Sequence, residues 1–291
     1  MTAAGTATDV FEGERRRLTR LAYRMLGSLA EAEDAVQDAW LRWGAADPGT
    51  IDAPQAWLVR VVTRLCLDRL KSARARRETY VGPWLPEPLV EDVTADPLER
   101  AEDVSVAFLL ALQRLSPLER AVFLLHDVFD QDYAAVAESL GRTEPACRQL
   151  AARAREHVRE ARPRFQVSDE DAARLAGAFL QATASNDMSA IASLLTEDAV
   201  LITDGGGKRK AALRPMVGRE DVMALIRGLA WRQARWPNLE NARAARINGL
   251  PGLVLQFEDG PATMSFEPAS DGRICAIYIV RNPDKLGRVS V

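Results

Sequence analysis

Residues 204–208, Asp-Gly-Gly-Gly-Lys, have the composition of a loop that binds phosphate. A nucleotide-binding P-loop requires the spacing Gly-x-x-x-x-Gly-Lys-Ser/Thr, placed after a strand and at the start of a helix. Here the spacing differs, Arg209 stands where Ser or Thr is needed, and the residues that follow are typical of a strand. We therefore expect a β-hairpin turn, in which glycine supplies the positive φ angles.

Metal binding and histidine-based catalysis both need convergent ligands that this sequence lacks. The three cysteines, Cys66, Cys147 and Cys275, are far apart, and His126 and His157 are the only histidines. We expect reduced thiols, no metal site and no cofactor. Residues 168–291 contain no histidine, so a catalytic base there would have to be a carboxylate.

The bulk composition is that of an ordinary globular protein with two or three domains. The 291 residues include 47% hydrophobic and 27% charged residues, with a net charge of −3. No apolar run approaches the roughly 18–20 residues that span a bilayer. The N-terminus has no signal-peptide pattern, so a cytoplasmic location without membrane contact is expected.

Charge is distributed unevenly along the chain. Residues 142–164 contain seven arginines and three glutamates, a net charge of +4 in an acidic protein. They follow "YAAVAESLG" and contain Thr143, a natural helix N-cap, so 133–155 read as two short helices joined at Gly141. This pattern predicts a helix-turn-helix whose second helix is basic.

The flanking segments differ in character. Residues 30–43 predict a helix with an acidic surface, and 55–77 a helix with a basic end. Prolines at 83, 86, 88 and 97 forbid a continuous helix over 79–98, which we interpret as a stiff linker. After about residue 165, helical patterns alternate with strand patterns, including "KAALRPMV" as a return strand and four further strands towards the C-terminus.

Three segments together resemble the small extracytoplasmic-function (ECF) class of sigma-70 type initiation factors. They are "EDAVQDAWLRW" (33–43), "WLVRVVTRLCLDRL" (57–70) and the helix-turn-helix at 133–155. "WLPEP" (84–88), "DGGGK" (204–208) and "NPDKL" (282–286) further resemble one ECF group with a SnoaL-like C-terminal extension. The resemblance implies two all-α sigma domains, 1–78 (region 2) and 104–165 (region 4), joined by linker 79–103, and an α+β cone domain over 168–291.

The resemblance also implies partners and site residues. Promoter DNA and core RNA polymerase, through its β′ clamp helices and β flap, are the implied partners. The implied polymerase contacts are Asp34, Gln37 and Asp38. The implied contacts near the −10 promoter element are Arg60, Arg64, Arg69, Lys71, Arg74 and Arg76. In the −35 element, Thr143, Glu144, Arg148 and Gln149 are expected to read bases, and Arg142, Arg153 and Arg155 to contact phosphates.

The three motifs of the extension are implied to form an interface between it and the sigma domains. Their residues are Trp84, Leu85, Pro86, Glu87 and Pro88 in the linker, Asp204, Gly205, Gly206, Gly207 and Lys208 in the turn, and Asn282, Pro283, Asp284, Lys285 and Leu286 in the tail. The expected function is promoter-specific initiation, regulated in cis without a separate anti-sigma factor. A small-molecule ligand in the extension, a DNA-binding repressor acting without polymerase, and a SnoaL-like enzyme with a helical appendage stay open.

Overall fold

The computed structural model describes residues 3–46, 51–91, 105–159, 169–231 and 238–289. The side chains of 3–7, 73–78, 172, 230–231, 238–241 and a few residues at segment ends lie outside this description. The chain divides into two compact units, Met1–Glu78 with Phe108–Arg162, and Thr79–Ala107 with Pro163–Val291. The segment predicted to be a stiff linker is therefore grouped with the C-terminal unit.

The first unit is all-helical. Its elements are α1 (Ala3–Leu26), α2 (Leu29–Ala45), α3 (Pro54–Glu78), α4 (Val106–Arg114), α5 (Pro117–Phe123), a π-helix (Leu124–Val128), α6 (Tyr133–Leu140) and α7 (Glu144–Arg159). Ser28 caps α2, and Ser116 forms a capping box with Glu119 at α5. The fully buried Arg120 joins the two halves of this unit, because its guanidinium donates to the carbonyl oxygens of Leu112 and Met25.

The helix-turn-helix consists of α6 and α7. The Asp132 carboxylate caps α6 by accepting from the Ala135 N–H, and Gly141 ends it in the left-handed region at φ 62°. Thr143 then caps α7 through its hydroxyl, which accepts from the Ala146 N–H at 3.4 Å. Small or apolar residues on one face of α7 are buried, which leaves the basic face in solvent. These buried residues are Cys147, Ala151, Ala154 and Val158.

The second unit is an α+β domain with a seven-stranded sheet. Its helices are α8 (Asp169–Ala184), α9 (Met188–Leu194) and α10 (Arg219–Trp231). Its strands are β1 (Val90–Glu91), β2 (Leu195–Asp204), β3 (Met216–Val217), β4 (Asn238–Ile247), β5 (Leu250–Phe257), β6 (Gly260–Pro268) and β7 (Ile274–Val280). The order across the sheet is β1-β4-β5-β6-β7-β2-β3, with only the β2–β7 pair parallel. The α8, α9 and α10 helices contribute to its apolar core, in which Phe179 and Phe266 pack with ring centroids 4.8 Å apart.

Two elements differ from the sequence expectation. The return strand predicted over 210–217 is reduced to Met216–Val217, because the Thr203 hydroxyl bonds both backbone groups of Ala212 and so replaces the strand ladder there. A strand that was not predicted, β1, comes from the linker and pairs antiparallel with β4 at Val90–Ile247. No helix within the described residues has the length and apolar character needed to cross a membrane.

A buried carboxylate lies on the sheet beside a tyrosine. The Glu267 carboxylate accepts from the Tyr278 hydroxyl at 2.6 Å, and burial raises the pKa values of both groups. A carboxyl whose pKa is raised on folding favours the folded state while it is neutral and disfavours it once ionised.

We expect Glu267→Gln to stabilise the protein at neutral pH, because glutamine keeps the acceptor and removes the buried charge. The gain should disappear at acid pH, where wild-type Glu267 is itself protonated. Thermal melting at about pH 4 and about pH 8 measures it. Glu258→Gln, on the exposed turn after β5, is the matched control and should show no such pH-dependent gain. An equal gain at both pH values would contradict the prediction.

Candidate functional site

The first half of α7 presents an exposed polar surface. Arg142, Thr143, Glu144 and Gln149 are all exposed. Arg148 donates to the Glu144 carboxylate at 2.9 Å, and its guanidinium lies 4.6 Å from the Tyr133 ring centroid. A recognition helix reads bases with residues near its N-terminus, so this surface has the geometry that major-groove binding requires.

The arginines further along α7 are tied to neighbouring helices. Arg155 donates to the Asp127 carboxylate at 2.7 Å and to the Tyr133 hydroxyl at 3.0 Å. Arg153 lies 3.9 Å from the Glu119 carboxylate. These contacts fix the orientation of α7 against the π-helix and α5.

The acids of α2 and the basic end of α3 contact each other. Arg69 donates to the Asp38 carboxylate at 2.7 Å and lies 3.8 Å from that of Asp34. Gln37 is exposed on the same helix. Arg69, a predicted DNA contact, thus lies beside Asp34 and Asp38, which are both predicted polymerase contacts.

The remaining predicted −10 contacts have different surroundings. Lys71 pairs with Asp68 on the exposed surface at 2.9 Å. The side chains of Arg74 and Arg76 lie outside the described residues. The structure therefore describes the side chains of only four of the six predicted basic residues of α3, and their grouping at DNA stays a prediction.

Two of the predicted −10 contacts, Arg60 and Arg64, touch the helix-turn-helix in this structure. Arg60 forms an ion pair with Glu138 of α6, and Arg64 Nε donates to the Ser139 carbonyl oxygen at 3.2 Å. Both pairs join residues more than 70 positions apart in sequence. The face of α3 that is predicted to bind DNA and the first helix of the helix-turn-helix are thus in direct contact.

In the C-terminal unit, all three motifs meet at the fully buried Asp204. Its Oδ1 accepts from the Tyr80 hydroxyl at 2.6 Å and the Gly206 N–H at 3.0 Å. Its Oδ2 accepts from the Leu85 N–H at 2.8 Å and the Lys285 ammonium at 2.7 Å. We call this set of contacts between linker, turn and tail the linker seam. One carboxylate thus joins three segments separated by more than 80 residues.

Lys285 is the cation of the seam. Its ammonium also donates to the Leu85 carbonyl oxygen, and it lies 3.9 Å from the Trp84 ring centroid and 5.2 Å from that of Tyr80. The lysine side chain is only 10% exposed, so its contacts are largely shielded from water. By contrast, the pair between Lys208 and Asp284 is exposed.

Two glycines of the turn lie so close to other segments that a side chain would not fit there without a shift. A Cβ on Gly206, whose φ is +60°, would lie 2.3 Å from the Asn282 side chain. A Cβ on Gly207, at φ +70°, would lie 3.1 Å from Val81. The predicted turn is present, and its bare backbone lets the tail and linker pack against it.

The rest of the linker continues this packing. Leu85, Pro86, Glu87 and Pro88 are buried, as is Leu286 in the tail. Beyond them Leu89 exchanges hydrogen bonds with Asn248, and β1 extends the sheet. The linker therefore binds the domain both as a docked segment and as an edge strand.

Sequence reasoning missed Tyr80, which lies outside the WLPEP motif. Burial and the neighbouring Asp204 carboxylate raise the pKa of its hydroxyl, so the group stays a donor. The Asn282 amide also donates to this hydroxyl, at 2.8 Å. The only signal available was its position four residues before Trp84. Within the described residues no group of three or more His, Cys, Asp or Glu side chains is placed to hold a metal ion.

The chain matches the models of two sigma-70 regions and is similar to known sigma factors. The Sigma-70 region 2 model matches residues 10–76, and the Sigma-70, region 4 model matches residues 105–158. The ECF RNA polymerase sigma factor SigJ of Mycobacterium tuberculosis is 43% identical over 289 residues, covering 94% of this chain and 91% of that protein. The probable ECF RNA polymerase sigma factor SigI of the same species is 37% identical over 191 residues, covering 64% and 65%.

The crystal structure of M. tuberculosis SigJ has the same fold over nearly the whole chain. It matches with a TM-score of 0.77 at 37% identity, and the match covers 96% of this chain and 98% of that one. The helical unit accounts for both sigma-70 regions, and the α+β SnoaL-like domain follows them in one polypeptide. This chain belongs to the ECF sigma factors.

Proposed function

We propose that the C-terminal domain regulates this sigma factor in cis by holding its linker. Binding of RNA polymerase and promoter-specific initiation follow from membership of the family. The observation that carries the regulatory proposal is the linker seam, in which buried Asp204 binds Tyr80, Leu85 and Lys285. The segment that joins region 2 to region 4 is thereby bound to the extension.

The length of the linker limits how far apart regions 2 and 4 can lie. The connection from Glu78 to Val106 has 27 residues (79–105). Its full extension reaches about 90–97 Å at 3.3–3.6 Å per residue. The centres of the −35 and −10 elements are about 25 base pairs apart, or about 85 Å of B-DNA. Pairing of β1 with β4 fixes the linker up to Glu91, and the 14 residues from 92 to 105 have a maximum extension of about 50 Å. Release of the linker then favours binding of both elements.

The helical unit supports the same proposal. Contacts of Arg60 with Glu138 and of Arg64 with Ser139 place α3 against the helix-turn-helix. Elements about 85 Å apart cannot both be bound while α3 and α6 touch. We propose that this closed arrangement opens when polymerase and promoter are engaged. Asp34, Gln37 and Asp38 would then contact polymerase, and the freed basic residues of α3 would contact DNA.

The extension acts in this proposal as a regulator and not as an enzyme. Its buried Asp204 is fully committed to the seam, and Glu267 pairs with Tyr278. No separate anti-sigma factor is required, because the restraint is part of the same chain. Initiation with polymerase places the protein in the cytoplasm.

In vitro transcription with core RNA polymerase tests the proposal. We expect Gly206→Ala to change promoter output at least threefold, because its Cβ would meet Asn282 at 2.3 Å and disturb the seam. Gly228→Ala is the matched control, since a Cβ there meets nothing within 4 Å. Unchanged output from a folded Gly206→Ala protein would reject regulation through the seam. Promoter binding without any initiation would favour the repressor function.

We predict that Glu138→Arg opens the helical unit by placing like charges opposite each other at Arg60. An exposed pair contributes about 0.2–1 kcal/mol, so a rise of about 1.4-fold to fivefold in promoter affinity is expected. Fluorescence energy transfer between labels on α3 and α6 measures the opening directly. Glu156→Arg adds the same charge on the exposed surface of α7 and is the control. Equal transfer efficiency in both variants would show that this ion pair does not hold the closed arrangement.

A further inference from the structure

The C-terminal domain encloses an apolar cavity that the seam does not use. The cavity has a volume of about 230 Å³ and lies between α8, α10 and one face of the sheet. Its wall is mainly aliphatic and aromatic, with Leu201, Leu253 and Ile277 on the sheet side and Phe179 and Leu229 on the helix side. An apolar cavity of about 150 Å³ already holds benzene, so this one has room for a larger apolar body.

Two cationic side chains contribute to the lining. Among the residues that the structure describes, Lys210 and Arg281 are the only charged ones that line the cavity, and no carboxylate does. The Arg281 guanidinium is held by the Lys210 carbonyl oxygen at 2.7 Å and the Asp259 carboxylate at 2.6 Å, and it lies 4.2 Å from the Phe257 ring centroid. Because Asp259 already offsets the charge of Arg281, the exposed Lys210 supplies the net positive charge beside the site, and Arg281 supplies fixed N–H donors for an anion.

Unsatisfied polar atoms add to this picture. Among the described residues, the buried Oγ1 of Thr183 and Nε of Arg281 have no hydrogen-bond partner, and both residues line the cavity. Buried polar groups in folded proteins nearly always have a partner, so such exceptions call for one. Polar atoms of a bound molecule would supply these missing hydrogen-bond partners after small side-chain adjustments.

We propose that this cavity binds a small hydrophobic monocarboxylate, with its apolar body against the wall and its carboxylate at Lys210 and Arg281. The apolar lining disfavours nucleotides and sugars, whose polar bodies would lose hydrogen bonds to water. The two cations disfavour amines. A chain of about ten carbons, or one or two fused rings, suits the volume.

The cavity wall and the seam share backbone. Thr203 lines the cavity and immediately precedes Asp204, while the Arg281 N–H donates to the Asp204 carbonyl oxygen at 2.7 Å. Binding and regulation can nevertheless be tested separately. Direct ligand binding is measured without polymerase or DNA. The cavity can therefore be found to bind no ligand while regulation through the seam is upheld, and regulation can be rejected while the cavity does bind a ligand.

Isothermal titration of the full chain with three ten-carbon probes tests the proposal. Decanoate should bind at one site, and 1-decanol and decyltrimethylammonium should bind at least tenfold more weakly. Equal affinity for decanol and decanoate would overturn the carboxylate assignment. Absence of binding by decanoate would overturn the site.

Variants locate the binding. Lys210→Met, an exposed change that leaves the core intact, should weaken decanoate binding at least threefold and leave decanol unaffected. Leu229→Trp should fill the cavity and abolish binding, with thermal melting as the check on folding. Arg214→Met removes an exposed cation from the same loop without touching the lining, so its decanoate affinity should equal that of the wild type. Equal loss from Lys210→Met and Arg214→Met would indicate non-specific charge attraction and reject the site.

Discussion

Replacing Asp204 by asparagine should release the linker from the C-terminal domain. The change removes the Asp204 carboxylate from beside the Lys285 ammonium, which is 10% exposed, and weakens the acceptor for Tyr80 and the Leu85 N–H. Breaking a buried ion pair by removing one partner costs about 3–5 kcal/mol. We expect a loss of that size in the free energy of unfolding of the C-terminal unit, measured by chemical denaturation, and altered Trp84 fluorescence.

Asp284→Asn provides the matched control for this experiment. Its partner Lys208 and Asp284 itself are 55% and 60% exposed, so the pair is well solvated. Exposed pairs contribute about 0–1 kcal/mol, and we expect a change within that range. The double variant Asp204→Asn/Lys285→Met should recover part of the loss, because it removes both charges of this buried pair. Equal effects from Asp204→Asn and Asp284→Asn would show that the seam is not organised around Asp204.

The second large effect is expected on α7. Gln149 is exposed on this helix and is suited to adenine, so Gln149→Ala should remove discrimination at one −35 base pair. A lost bidentate contact costs about 1–3 kcal/mol, or roughly 5-fold to 150-fold in affinity for the preferred sequence. Competition binding of the holoenzyme to promoters that differ at single −35 positions measures this loss.

Arg142→Ala should behave differently, because a phosphate contact carries no sequence information. It should weaken binding to all promoters about equally and lower the salt dependence of affinity by about one unit of slope. If Gln149→Ala weakens all sequences alike, or Arg142→Ala changes preference at one position, the two roles are exchanged or wrong.

Local signals were sufficient for most of the fold. Capping residues such as Ser28, Ser116 and Thr143 mark helix starts, and Gly141 marks the turn of the helix-turn-helix, because each acts within a few residues. Alternating apolar patterns likewise predicted β4 to β7. The exception is the return strand before β3, where a single hydroxyl, that of Thr203, took over the backbone hydrogen bonds.

Contacts between residues that are far apart along the chain could not be predicted from the sequence. Asp38 and Arg69 are 31 residues apart, and Arg60 and Glu138 are 78 apart, so nothing local indicates that these charges neutralise each other. The resemblance grouped the three motifs of the seam, but their arrangement around one buried carboxylate depends on the folded domain. Tyr80 joins the site through its hydroxyl alone and left no pattern in the sequence.

Lys285, which completes the seam, is synthesised after the helical unit. Residues up to about Arg162, which complete the helical unit, leave the ribosome well before Lys285 and Leu286. At about 5–20 residues per second, the 124 residues that separate Arg162 from Leu286 take about 6–25 s to synthesise. During that interval both sigma regions exist without Lys285, the cation that closes the seam. Under the proposed regulation, each newly made molecule passes through a period without this restraint, and the translation rate sets how long that period lasts.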